Sequence, residues 1–310
     1  MGDVQIKGVG PNRLAGMTTE FFHRFGGATL QEGILEATWG EIVSHVLPYG
    51  SARTYGLLDT SMTVPVKFPR TDGPTQIARV LILREPKLRP AHFFRAVFFK
   101  PDDTTRLPHD TQRTRRAIRR IGHAMACQGL IAPETLANIP SIEQGLIKLF
   151  VRHAQQIATA RAKRLMHGSL TSSNVGMDGS WLDFGSISAL SDYGRIIIPR
   201  GAPDFLREEA LFFNTAENLI FYLRKYFPRF AEESELTATQ LFTVMQKEIK
   251  RTFSCELIKL SGFSESQLKT FPRELAHNFA SVLQTIQQSG NSMPFTILST
   301  NNDDLPTMPH

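Results

Sequence analysis

The chain has 310 residues, 41% of them hydrophobic, which is enough to bury a sizeable core, and a formal charge of +6. No apolar run reaches transmembrane length, and Met1-Gly2-Asp3-Val4-Gln5 offers neither a secretory pattern nor, with Ile6 following, a myristoylation site. Cys127 and Cys255 are the only cysteines, which excludes a disulfide framework or a cysteine zinc site, so a reduced, cytoplasmic protein is expected.

Val4 and Ile6 alternate with polar neighbours and predict a strand that delivers Lys7. The glycine-punctuated stretch 8–27 reads as loop. Residues 29–46 read as a helix, with Ile34, Thr38, Ile42 and Val46 in one row, Leu35, Trp39 and Val43 beside it, and Pro48-Tyr49-Gly50 as the stop. Residues 76–83 and 93–99 read as strands, being rich in β-branched or aromatic side chains. The polar, turn-forming residues 100–105 mark a boundary.

Beyond it the pattern is mostly helical, so the fold class expected is α+β. Asp110 opens a helix whose apolar stripe is Ala117, Ile118, Ile121, Ala124 and Met125. The same helix carries Arg113, Arg115, Arg116, Arg119 and Arg120, with Arg113, Arg116 and Arg120 sharing a face. That face reads as a solvated surface or one for an anionic partner. Nucleic acid is the weakest option, because no aromatic residue interleaves with the arginines. Residues 141–165 form a further amphipathic helix through Leu146, Phe150 and Ile157, and Trp181-Leu182 a short strand leading into Asp183. Helices follow at 210–226, 237–251 and 266–288, and the tail 301–310 has little to bury.

The stretch with most chemical content is His167-Gly168-Ser169-Leu170-Thr171-Ser172-Ser173-Asn174, followed by Asp183-Phe184-Gly185. It sets a carboxamide and a carboxylate on adjoining segments, a donor set suited to Mg²⁺, which takes oxygen ligands and is commonly completed by phosphate and water. Protein kinases use an asparagine and the aspartate of Asp-Phe-Gly in this way. Dinucleotide, Walker-type, zinc-helix and Gly-x-Ser-x-Gly signatures are absent.

The spacing His167, Gly168, Asn174, Asp183, Gly185 resembles the SelO (selenoprotein O) family, kinase-fold proteins that transfer AMP to other proteins. Gln5-Ile6-Lys7-Gly8-Val9-Gly10-Pro11, Ile34-Leu35-Glu36 and Leu47-Pro48-Tyr49-Gly50-Ser51-Ala52-Arg53-Thr54 resemble further segments of that family in order. Within the group, Gly8-Val9-Gly10-Pro11-Asn12-Arg13-Leu14 is most similar to the microcin-maturation branch, the MchC-like proteins. The resemblance implies a protein-kinase-like two-lobed fold, with a truncated N-lobe over 1–100, a helical C-lobe over 101–300 and a disordered tail. It implies ATP and Mg²⁺ as cofactors, Asn174 and Asp183 as metal ligands, a Lys7–Glu36 ion pair, and a protein or peptide acceptor. Arg84 and Arg95 are expected to hold the phosphates, with Arg89 the alternate. His167 is expected to order the loop backbone.

Two features depart from the family. Ser173 stands where the family has its catalytic-loop aspartate, and a serine is no general base at neutral pH. Only six residues precede Lys7, so the Gly-rich hairpin over the phosphates has no sequence here to form it, as expected of a shortened member of the family or of one whose upstream segment lies elsewhere. Two functions are therefore expected: an adenylyltransferase in which Lys7, Glu36 and Ser173 line the reaction centre, or a pseudoenzyme that binds a partner protein or peptide.

Overall fold

The computed structural model describes residues 3–10, 26–66, 72–96, 106–190, 205–270 and 272–289. The expected boundary at 100–105 and the tail at 301–310 lie outside them.

Four strands, β1 (Gln5–Lys7), β2 (Ala28–Thr29), β3 (Thr54–Val66) and β4 (Thr75–Arg84), build one antiparallel sheet. β4 is its centre. β3 lies on one edge, while β1 and β2 follow one another along the other, Lys7 opposite Ile82 and Ala28 opposite Val80. β3 has no counterpart among the expected strands, because Gly56, Pro65 and two register shifts break its alternation. Pro65 is tolerated because β3 is an edge strand. The strand expected over 93–99 is corrected. Pro90–Phe93 is a 3₁₀ turn, Phe93 and Phe94 are both buried, and no strand forms through 96, with 97–99 outside the described residues. The aromatic run there reflects burial rather than a pleat.

Helix α1 (Leu30–Val46) starts in a capping box, with Glu32 N–H donating to Thr29 Oγ1 and Thr29 N–H to the Glu32 carboxylate. Its buried face corrects the expected one. Gly33, Glu36, Gly40 and Val43 point inward, whereas Ile34 is 52% exposed and Ile42 is exposed as well. A Cβ at Gly33 would lie 3.0 Å from Leu57, so the glycines let the helix settle close against the sheet. The pull of the apolar side chains toward the core loses here to close approach and to a buried ion pair.

A second, two-stranded antiparallel sheet pairs Leu165–Met166 with Ser188–Ala189, and the other described elements are mostly helices: α2 (Arg106–Arg119), α3 (Ile121–Cys127), α4 (Ile139–Ala162), α5 (Leu211–Tyr226), α6 (Pro228–Glu233), α7 (Ala238–Leu260), α8 (Glu265–Thr270) and α9 (Arg273–Ser289). The fold is thus α+β. Pro272 lies between the two pieces of the helix expected over 266–288. α4, capped by Asn138, carries Leu146, Leu149, Phe150 and Ile157 through the main core, which also takes in Val43 and Leu47 at the end of α1. Ala52 N–H donates to Trp181 O at 2.9 Å and Trp181 N–H to Gly50 O at 3.1 Å, which stitches the chain after α1 to the residues before Asp183. Trp181 makes isolated bridges to Ser51 and Val175, and the expected strand at 181–182 is no more than these.

The arginine helix begins a turn before Asp110, so Asp110 does not open it. That residue is buried and accepts from Arg113 Nε at 2.8 Å. Arg113 also donates to His92 O and Phe94 O, which turns it inward to lock the 3₁₀ segment, away from Arg116 and Arg120. Arg113→Ala leaves a buried carboxylate with only a longer ion pair to Arg95 and strips two carbonyls of a donor, and is expected to cost about 1–3 kcal/mol, whereas Arg116→Ala should stay within about 0.5 kcal/mol. Urea unfolding of the two variants measures the contrast.

Candidate functional site

β-strand alternation puts Gln5 and Lys7 on the same face of β1. Glu36 approaches from the buried face of α1. Lys7 Nζ lies 2.6 Å from Glu36 Oε2 and 2.9 Å from Asp183 Oδ1, while the other Glu36 oxygen accepts from Arg84. Arg84 also donates to Gln5 Oε1 at 3.0 Å. Burial alone would lower the pKa of Lys7, but Asp183 and then Glu36 outweigh it and hold the ammonium above its usual range. Burial likewise opposes ionisation of Asp183, and Lys7, Arg84 and Arg89 overcome it, holding the carboxyl below its usual range.

A short hairpin pairs the backbone of Asn174 with that of Leu182, the residue before Asp183. Leu182 N–H donates to Asn174 O, Gly176 N–H to Ser180 O, and Asp178 Oδ1 accepts the backbone and hydroxyl of Ser180 in the turn. Lys87, 2.8 Å from Asp178, and a bond from Met177 N–H to Leu88 O tie this hairpin to the segment after β4. Arg89 is thereby placed at the loop, where its guanidinium donates to Ser173 O at 2.7 Å and to Gln5 Oε1 at 3.4 Å. Burial, followed by repulsion from Arg84, lowers the Arg89 pKa to about 10, still fully charged at neutral pH.

The expected phosphate-binding arginines are placed differently from the sequence-based expectation. Arg84 is 2% exposed and engaged with Glu36 and Gln5, so it contributes charge from beneath rather than a free donor. Arg95 is not brought to this cluster. Its Nε lies 3.5 Å from the buried carboxylate of Asp110, beside Arg113. Arg89 occupies the place at the loop instead. Spacing along the chain gave no means of choosing among the three.

The carboxamide of Asn174 is oriented by Nδ2 donating to Ser169 O at 2.9 Å, which leaves Oδ1 with only a long contact from the Ser173 hydroxyl. Asp183 is left-handed, at φ 63°, a conformation aspartate tolerates. Its side chain is 40% exposed, and Oδ2 has no hydrogen-bond partner among the described residues. Those residues contain no cluster of three or more His, Cys, Asp and Glu side chains, so a metal here would need phosphate or water to complete its shell. One carboxylate, one carboxamide and the cations behind them fit Mg²⁺ carried by a polyphosphate.

Ser173 Oγ meets the Thr171 hydroxyl at 2.8 Å and Asn174 Oδ1 at 3.4 Å, and neither removes a proton. His167 is buried, with Nε2–H donating to Leu182 O at 2.8 Å and Nδ1 accepting from Ser169 N–H. Burial lowers its pKa to about 4, so it stays neutral and braces the loop. Gly168, at φ 81°, has no space for a Cβ, which would lie 2.8 Å from Ser186 O. Glu208, which carried no sequence signal, sits beneath the loop and accepts Gly168 N–H at 2.6 Å. No family model matches the chain, and no curated protein matches it.

Burial raises the Glu208 pKa from 4.5 to about 7. Between those values the folded chain holds a proton that the unfolded chain has lost, so this group makes stability fall as pH rises through the window. Glu208→Gln keeps an acceptor for Gly168 and has no proton to lose. It should match the parent below the window and exceed it above by on the order of 1–3 kcal/mol, read from urea midpoints across pH.

Proposed function

We propose that this protein binds ATP with Mg²⁺ where Lys7 of the sheet meets Asp183, in a two-lobed, kinase-like arrangement, and transfers AMP to a protein or peptide acceptor. The observation that carries this reading is Lys7 bridging Glu36 and Asp183, with Asp183 Oδ2 unpartnered among the described residues and Asn174 Oδ1 holding only the 3.4 Å contact from Ser173. Lys7, Arg84 and Arg89 outnumber the two carboxylates they surround, which leaves net positive charge for a polyphosphate. Such preorganised charge lowers a phosphoryl-transfer barrier by positioning and electrostatics.

Asn174 and Asp183 would hold Mg²⁺, which when bound neutralises phosphate oxygens. Lys7 would shift from Asp183 toward the phosphates, and Arg89 would orient them from the loop. The acceptor oxygen bonds to the α-phosphorus as the bond to pyrophosphate breaks, and pyrophosphate leaves. A hydroxyl acceptor must also lose a proton, for which Ser173 offers no base. A carboxylate has none to lose, so the site suits a carboxylate acceptor such as a peptide C-terminus, in keeping with the microcin-branch resemblance. The second reading, a partner-binding pseudoenzyme, draws on the same Ser173 hydroxyl and its lack of a proton acceptor.

Asp183→Ala is expected to weaken Mg-ATP binding by about 10–100-fold or more, measured by calorimetry. Unchanged affinity would reject the metal assignment. Lys7→Ala and Glu36→Ala should each weaken ATP binding, and the double variant by less than their sum. Label from the α position of ATP should pass to the acceptor while γ label does not, and Ser173→Asp should speed hydroxyl labelling by up to about 10²–10⁴-fold. Transfer of γ label would mean an ordinary kinase. No transfer of either label despite Mg-ATP binding would favour the pseudoenzyme.

A further inference from the structure

With Arg113 turned inward, Arg115, Arg116, Arg119 and Arg120 remain exposed at the end of α2, and none has a carboxylate partner among the described residues. The structure adds what the sequence lacked, aromatic residues beside them. The Arg115 guanidinium lies 5.5 Å from the centre of the Tyr226 ring on α5, and Lys225 Nζ lies 5.6 Å from the same ring and 5.3 Å from that of Phe221. Two cations are therefore held at one ring by cation–π attraction, with no acid between them among the described residues. Like charges gathered this way repel one another, and an anionic occupant relieves that repulsion.

The rings also favour one class of occupant. Tyr226 is buried, and Tyr222 stacks against both Phe94 and Tyr226, so neither has a face free for a nucleobase. Single-stranded nucleic acid draws much of its affinity from such stacking. Phe221 is 53% exposed, with Lys225 over its ring, and gives the surface one apolar contact flanked by charge. Glu217, one turn before Phe221 on α5, limits the basic area on that side.

We propose that this α2–α5 face docks an acidic polypeptide segment, its carboxylates on Arg115, Arg116, Arg119, Arg120 and Lys225 and an apolar side chain on Phe221. Arg113 of the same helix anchors His92 and Phe94, and Arg89 at the start of that turn reaches Ser173, so a segment held here lies on an element joined to the loop. If the transfer reaction proposed above is right, the segment belongs to the acceptor. The docking itself does not depend on that reading.

The test uses no nucleotide. A fluorescein-labelled peptide rich in glutamate with one leucine is titrated with the full chain at low and physiological salt, beside an oligothymidylate of equal length. The peptide should bind, and salt should weaken it. Arg116→Glu with Arg120→Glu should weaken it by about tenfold or more, while Lys247→Glu with Lys250→Glu, the same charge change on α7, should stay within about twofold. Circular dichroism confirms that both variants fold. Equal loss in the two variants would reduce the effect to net charge and overturn the proposal. So would oligothymidylate binding as tightly as the peptide, or no peptide binding at low salt.

Discussion

The ammonium of Lys7 holds β1, α1 and the segment after the loop in a single electrostatic unit. A charge withdrawn from water is stable only when paired, and removing one partner of a buried pair typically costs about 3–5 kcal/mol. The two partners differ in a way that matters. The Glu36 side chain is 4% exposed and shared with Arg84, so its role is fixed within the fold. Asp183 keeps one oxygen toward solvent, so its bond to Lys7 is the one a ligand can replace.

Packing serves this arrangement closely. Gly33 lets α1 settle against Leu57 and Val80 of the sheet, and two turns on along the same face Gly40 lies in van der Waals reach of Phe184, 3.9 Å from where a Cβ would sit. Phe184 is buried against His167, which braces Leu182 and Ser169. The position of Glu36 and the turn at Asp183 are thus set by one continuous contact. Displacing α1 outward would both open a gap over Phe184 and draw Glu36 from Lys7.

The pairing of Lys7 with Glu36 was expected from the resemblance of their segments to an ordered motif set, and the structure brings Lys7 into contact with both Glu36 and Asp183. The arginines were not legible. Whether residue 84, 89 or 95 reaches the loop depends on where β4 ends and how the following turn folds, and side-chain pattern encodes neither. The buried face of α1 was misread because periodicity weighs apolar side chains, whereas this helix buries two glycines and a carboxylate. Arg113 is chemically indistinguishable from its neighbours, and only the tertiary position of Asp110 and of two carbonyls turns it inward. Glu208 left no trace, since one buried acid among charged residues looks like any other.

The contact between Lys7 and Asp183 joins residues 176 positions apart, and that separation bears on when the cluster can exist. Closing so long a loop is entropically unfavourable until the intervening helices have condensed, and contacts of this range form late in folding. During synthesis the strand carrying Lys7 leaves the ribosome well before the segment carrying Asp183. For that interval Lys7 lacks its partner Asp183. A chain cut anywhere between the sheet and the loop would therefore keep the Lys7–Glu36–Arg84 residues and lose the carboxylate of Asp183 that completes their network.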